Sequence, residues 1–302
     1  MTANVVAARY PGVPRSAHQL PVGPWRTLLE HLLEQFPSIA DEEWRRRFAA
    51  GEISDAAGQC LAADSRYQAG GKIYYYRVVA DEPAAPAGEQ ILYQDEHLLV
   101  ADKPHFLPVM PAGSYLQHTL LVRLRRLTGN EQLVPLHRID RETAGLVLFS
   151  TNAASRGRYA ELFARRHIAK SYRAVAPYRP ALVAPCDYHS HICRSTDYLR
   201  MQLCPQRPAN SHTHIQLLQQ QGEWGLYQLQ PVSGRRHQLR VQMAGLGAPL
   251  RHDWLYGQGL VRPADFSQPL QLLAHELHFD DPVTGLGHHF YSQQQLQWPV
   301  VE

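Results

Sequence analysis

Residues 137–150, HRIDRETAGLVLFS, crowd six polar or ionisable side chains against an apolar run. The run is too short for a convincing helix and fits a buried strand, whose side chains must be apolar on both faces. The residues before it cannot share that burial, because an unpaired carboxylate in the interior costs several kcal/mol or takes up a proton instead. HRIDRET therefore lies at the mouth of a strand, with Asp140 between Arg138 and Arg141. Two readings of Asp140 follow. It is either a reactive carboxylate kept ionised by nearby guanidinium groups or a loop residue paired with an arginine for stability.

The 302 residues are enough for one large domain and a small one, and 44% hydrophobic against 19% charged residues is ordinary for a globular protein with a core. No apolar run reaches the roughly 20 residues of a spanning helix, and the start lacks a basic region followed by a long apolar one. A cytoplasmic protein with no membrane partner is expected. Cys60, Cys186, Cys193 and Cys204 are too few and too irregular for a disulfide framework, so reduced thiols are expected. Three of these cysteines fall near His189, His191, His212 and His214, but without the spacing of a zinc motif, and no metal is assigned. The net charge of +3 hides an asymmetry: Arg123 to Lys170 holds ten Lys or Arg against four Asp or Glu. Such a cluster is the footprint of a phosphate-binding surface, although a solvated helix face gives the same count.

Three prolines make residues 1–22 read as an irregular segment. WRTLLEHLLEQF and DEEWRRRFAAG then give two short helices, and GGKIYYYRVV a strand, so residues 23–82 form a small helix and β module. The run EEWRRRFAAGEISDAAGQCLAADSRYQAGGKIYYYR resembles an S4-type RNA-binding domain, which implies a small α/β module. Residues 1–90 hold nine basic against eleven acidic side chains, the balance of a packing or orienting domain. Residues 83–90 read as a linker. From 91 to 302, strand patterns outnumber helical ones: ILYQDEHLLVADKP, GLVLFST, SYRAVAP, THIQLLQQQ and WGLYQLQPVSG are strands, and SRGRYAELFARRHIAK is a helix. The expected class is α+β, with a largely antiparallel mixed sheet.

A second cluster lies in PVSGRRHQLRVQMAGLGAPLRHDWLYG. Read as a strand, it places Arg235, His237 and Leu239 on one face and Arg236, Gln238 and Arg240 on the other, and so many cations call for a phosphate or a carboxylate nearby. An exposed, charged edge strand is the competing reading.

Over residues 91–302 the chain resembles the RluA-type RNA pseudouridine synthases. HRIDRETAGLV matches their H-R-L-D-x-x-T-S-G-L-L, Lys170, Tyr172 and Ala174 match K-x-Y-x-A, and SGRRHQLRVQ matches T-G-R-T-H-Q-L-R-V-H. ADKPHFLPVMP and APLRHDWLYG match two further blocks. Departures are Ile139, Ala144, Phe106, Arg236, Gln242 and His252, where the family has Leu, Ser, Gly, Thr, His and Gly. The resemblance implies an isomerase that converts a uridine of rRNA or tRNA to pseudouridine. It makes Asp140 the essential carboxylate, Arg240 its cation and Tyr172 the ring against the uracil. Arg138 would contact the flipped target nucleotide and Arg141 a phosphate, with Lys170, Arg235, His237 and Gln238 as further RNA-contacting or supporting residues and His137 as a strand-end donor. No cofactor and no DNA partner are implied, and a monomer is expected. A silent RNA-binding protein that retains the fold and a zinc hydrolase using Cys186, Cys193 and nearby histidines are the alternatives.

Overall fold

A computed structural model describes residues 10–79, 81–257, 261 and 265–299. The chain divides into two compact units: residues up to Pro83 together with Pro111–Glu131, and Ala84–Met110 together with the chain from Gln132 onward. The expected irregular segment lies outside the described residues for positions 1–9.

In the first unit, strand β1 (Ser16–Gln19) pairs antiparallel with β3 (Lys72–Tyr75), which also pairs β2 (Ile53–Ser54). The loop expectation for residues 1–22 is thus corrected: Pro14 and Pro21 flank a strand whose alternating burial matches its register on β3. Helices α1 (Leu28–Gln35) and α2 (Asp41–Ala49) form as their patterns require. The Thr27 hydroxyl accepts from the Glu30 N–H while the Glu30 carboxylate accepts from the Thr27 N–H, closing a capping box. Three acids open α2 at the positive end of its dipole. Leu28, Leu32, Trp44, Phe48, Ile53 and Ile73 share one core.

A third helix, α3 (Leu120–Thr128), falls in the segment expected to belong to the second domain but groups with the first unit. Thr119 caps its start, and Gly129 ends it in the left-handed region. Its Val122 packs with Val13, Leu116 and Tyr76. Arg123, Arg125 and Arg126 therefore sit in the first unit, so the basic run read from the sequence is divided between units.

The second unit is a ten-stranded sheet, ordered β4-β5-β7-β14-β8-β13-β12-β9 along its main path. Its strands are β4 (Gln90–Gln94), β5 (Leu98–Lys103), β6 (Val134–Pro135), β7 (Ala144–Ser150), β8 (Ala169–Pro177), β9 (Cys186–Ser190), β12 (Ser211–Gln221), β13 (Trp224–Pro231), β14 (Leu272–Asp280) and β15 (Gly287–Tyr291). All pairings are antiparallel except β7 with β14, which agrees with a largely antiparallel mixed sheet. Strands β10 (Ile192–Arg194) and β11 (Met201–Leu203) form a separate hairpin. Helices α4 (Arg156–Ala164) and α5 (Gln238–Gly245) complete the unit.

Strand β7 is buried along its whole length, as its apolar run requires. It lies between β5 and β14, and Leu98, Val100, Leu146, Leu148, Tyr159 and Leu277 pack as one cluster. Gly145 sits where β7 meets β14: its φ is +110°, and a Cβ there would stand 2.2 Å from the Ala274 carbonyl oxygen. Backbone meets backbone at this point, so no side chain can yield.

Two sequence expectations are overturned here. Cys193 and Cys204 are joined in a disulfide rather than reduced, because the β10-β11 hairpin brings their Cα atoms to 6.4 Å, a proximity that their spacing in the chain does not reveal. RRHQLR is not a strand. Arg235–His237 form a turn, His237 takes φ 53°, and α5 begins at Gln238. The Gln238 side-chain oxygen accepts from the Arg235 N–H at 3.0 Å and the Ser233 hydroxyl at 2.8 Å, which closes the turn and starts a helix.

Gly145→Ala is expected to lower unfolding free energy by about 1–3 kcal/mol, the usual range for overpacking, or more if the β7/β14 pairing is lost. Denaturant titration of both proteins measures it, and an unchanged midpoint would refute the close approach.

Candidate active site

The turn before β7 closes through the Thr143 N–H on the Asp140 carbonyl at 3.2 Å, placing the Asp140 side chain at the strand mouth. Its carboxylate remains partly open to solvent, at 27% exposure. Among the described residues, the ion pair on its carboxylate is made by neither flanking arginine. Arg141 instead donates from Nε and Nη2 to Glu142 Oε1 at 3.1 and 2.9 Å. The cation on Asp140 comes from α5: Arg240 Nη1 donates to Asp140 Oδ2 at 3.2 Å.

Arg240 is only 1% exposed, and it is held by a second carboxylate. Its Nε and Nη2 donate to Asp253 Oδ2 and Oδ1, both at 2.8 Å, in a two-pronged pair. Asp253 is itself fully buried and accepts from the Leu255 and Tyr256 N–H groups. Burial disfavours the charged guanidinium, but Asp253, Asp140 and Glu142 outweigh it, so the Arg240 proton is held above its ordinary value. Two nitrogens fix the group, and the third is left for Asp140.

His237 Nε2 lies 3.8 Å from Asp140 Oδ1, while its Nδ1 is 2.8 Å from the Tyr256 hydroxyl. That hydroxyl accepts from the Met201 N–H, and the network is satisfied when it donates to Nδ1 and the ring proton sits on Nε2, toward Asp140. Burial lowers the His237 pKa, which favours this neutral ring.

Tyr172 enters from β8. Burial and then the Asp140 charge push its phenol well above the ordinary value, so it holds its proton. Lys103, at the end of β5, is fully buried and donates to the Pro104 and Arg141 carbonyls at 3.0 and 3.2 Å. It ties the Asp140 loop to the sheet. Burial pulls its ammonium down to about 7 against the raising effect of Glu142 and Asp140.

A cleft of about 890 Å³ is lined by Asp140, Tyr172, Arg240, Arg138, Lys170, Arg235, His237 and Gln238, with Arg166, His214 and His278 among the others. Eight of the nine residues expected at the site meet there. Arg141, engaged with Glu142, is not among the lining residues. Arg138 is exposed and makes no hydrogen bond or ion pair among the described residues. Burial and then Arg166 lower the Lys170 pKa. Arg235 donates to the Asn210 carbonyl. Gln238 is spent within the protein, donating to the His212 carbonyl and Thr213 hydroxyl and accepting from Ser233 and Arg235.

His137, expected as a donor, is an acceptor: its Nε2 receives the Leu148 N–H at 3.1 Å, and its ring stacks on Phe163. Asp253, Lys103 and Tyr256 had no assigned role from sequence. Their signal was their place in ADKPHFLPVMP and APLRHDWLYG, but only the fold shows that these blocks face Asp140. Phe106 and His252 keep left-handed backbone, φ 64° and 61°, at two positions where the family pattern has glycine. Gln242, at the family's histidine position, accepts from the Thr213 hydroxyl and donates to Ser190 and Ser211.

Arg240→Met leaves Asp253 buried without its cation, and a loss of about 3–5 kcal/mol of stability is expected, as for any broken buried pair. Chemical denaturation measures it, and a loss below 1 kcal/mol would show the pair to be dispensable. Burial lowers the His137 pKa to about 3. A base depressed in the folded state stabilises fully above its unfolded value of about 6.5 and loses that contribution as pH falls toward 3. Stability between pH 7 and 4 is therefore expected to fall less steeply in His137→Gln, as read from denaturant midpoints at each pH. Parallel slopes would refute it.

A sequence profile described as RNA pseudouridylate synthase matches residues 97–245. An uncharacterized RNA pseudouridine synthase of Synechocystis is 31% identical over 256 residues, covering 79% of this chain and 84% of that protein. The ribosomal large subunit pseudouridine synthase D of Zymomonas mobilis is 28% identical over 211 residues, covering 65% and 66%. Among solved structures, human RNA pseudouridylate synthase domain containing 4 superposes with a TM-score of 0.52 at 26% identity, over 68% of this chain and 88% of that one. The matched region contains Asp140, Tyr172 and Arg240, and the chain belongs to the RluA-type RNA pseudouridine synthase family, isomerases that convert uridine in RNA to pseudouridine.

Proposed function

We propose that this enzyme isomerises a specific uridine of ribosomal or transfer RNA and that Asp140 is its essential carboxylate. The observation that carries the proposal is the Asp140–Arg240 contact at 3.2 Å, in a cleft that also holds Tyr172. Breaking the N-glycosidic bond, turning the uracil and forming the carbon–carbon bond all need an ionised carboxylate close to C1′. That requirement is common to attack on the sugar, attack on the base and proton abstraction from the sugar. Arg240 is the cation that pairs with Asp140 and aims it.

The target base must leave its stack to enter a cleft of this kind, and the exposed, unengaged Arg138 is suited to the space or the phosphate it leaves behind. Tyr172 offers a flat face for the uracil, and its hydroxyl serves the final proton removal as a relay, taking the carbon-bound proton while passing its own to the Asp140 carboxylate. Lys170 and Arg235 serve the RNA backbone, with Arg166 beside them. Arg141, His237 and Gln238 hold the loop and the turn that present these groups to RNA. The first unit, with its short helices and small sheet, is read as an S4-like module whose acidic balance suits packing or orienting.

Asp140→Asn is expected to abolish pseudouridine formation while retaining the folded spectrum and most RNA affinity. Mapping of pseudouridine in RNA from cells with and without the protein names the RNA and the position. The first RNA to map is that of the large ribosomal subunit, the substrate in the name of one relative. Normal product formation by the variant would overturn the assignment of Asp140. Tyr172→Phe separates the two roles of the tyrosine: a rate loss on the order of 10²–10⁴-fold with binding intact assigns the proton step to the hydroxyl, the usual scale of general acid–base catalysis.

A further inference from the structure

Strands β9 and β12 pair in a register that sets Asp187 opposite His214 and His189 opposite His212. Alternation along a strand puts positions 187 and 189, and likewise 212 and 214, on the same side of the sheet. Four potential metal ligands thus occupy one small patch. The ligand atoms of Asp187, His212 and His214 all lie within 4.8 Å of one another. His212 Nε2 stands 2.7 Å from Asp187 Oδ1, and His214 Nδ1 contacts that same oxygen. The His189 ring stacks on His212 with centroids 3.9 Å apart.

Two imidazoles converging on one carboxylate oxygen must each bring a proton to it. A cation among the three lone pairs removes that demand. Ligands of one tetrahedral zinc ion stand about 3.3 Å apart, given metal–ligand bonds of about 2.0–2.1 Å, so the observed spacing needs only side-chain adjustment to hold an ion. Imidazole nitrogens with a single carboxylate favour zinc and its neighbours over magnesium or calcium, which prefer all-oxygen sets. Cys186 alternates to the opposite face of β9 and Cys193 is tied up in its disulfide, so neither belongs to the set.

We propose that Asp187, His212 and His214, with His189 as a fourth donor, form a zinc-binding site that fastens β9 to β12. Strand β9 ends the sheet and is paired only through β12 on the main path, so an ion ligated by both strands acts as a staple at that edge. The patch is accessible: Asp187 and His214 also line a second concavity of about 310 Å³, and His214 borders the cleft as well. Of the four residues, His214 alone is among those lining the cleft, and Asp187, His189 and His212 are not.

The test uses the full chain in a Cys60→Ser background, since Cys60 is an exposed cysteine outside the disulfide. After equilibrium dialysis against Zn2+, elemental analysis is expected to give about one zinc per chain, and titration calorimetry a saturable isotherm that Mg2+ does not reproduce. Asp187→Asn and His214→Ala are each expected to weaken zinc affinity roughly tenfold or more, the scale on which even indirect ligand support acts. Co2+ in place of zinc is expected to give the visible absorption of nitrogen-ligated tetrahedral cobalt in the parent and not in the variants. Zinc is expected to raise the unfolding temperature of the parent alone. Substoichiometric zinc, or equal affinity in the parent and in a folded His212→Ala/His214→Ala double variant, would overturn the proposal.

Discussion

A guanidinium with 1% of its surface exposed cannot stay in a folded protein without compensating charge, and the Arg240–Asp253 pair meets that requirement. Both partners are buried and both prongs are short, so the pair has little freedom to rearrange. The consequence for chemistry is the direction of the remaining nitrogen. With Nε and Nη2 fixed, Nη1 is aimed at Asp140 without any further device. Because Asp253 also accepts from the Leu255 and Tyr256 N–H groups, the same pair places the Tyr256 hydroxyl against His237, whose other nitrogen faces Asp140.

The sheet supplies the rest of the frame. Asp140 sits where β7 leaves the core, and β7 cannot shift because β5 and β14 hold it on both sides and Gly145 lies in backbone contact with Ala274. Lys103 fastens the loop from the β5 side through two carbonyls. The role proposed for Asp140 asks for a carboxylate that is ionised, exposed enough to meet substrate and held still. Here the geometry is shared among different groups: the paired cation and the aim come from Arg240, exposure from the strand mouth, and position from Lys103 and β7.

Left-handed backbone can be held by residues other than glycine. At Phe106 and His252 the chain remains left-handed at positions where the family pattern has glycine. Side-chain contacts offset the local cost: Phe106 is buried and packs near Phe266, and His252 meets the Pro269 carbonyl. Gln242 similarly fills a histidine's place through a buried set of hydrogen bonds with Thr213, Ser190 and Ser211.

Local pattern was enough to read strand β7, the two early helices, the antiparallel character of the sheet and the placement of Asp140 at a strand mouth. Each depends on neighbours a few residues apart, where periodicity and the cost of burying charge act directly. The motif blocks extended this to Tyr172 and Arg240. Contacts across long separations were not legible in the same way. Charge between Arg138 and Arg141 suggested a partner for Asp140 from its own loop, yet the partner lies 100 residues away, on a helix that alternation had read as a strand. A turn closed by Gln238, a disulfide formed across a hairpin and β1 recruited by β3 likewise depend on what folding brings near. The sequence by itself determined which residue types could do the chemistry. Only the tertiary structure decided which of them meet, because pairing energy falls steeply with distance and that distance is set by the whole sheet.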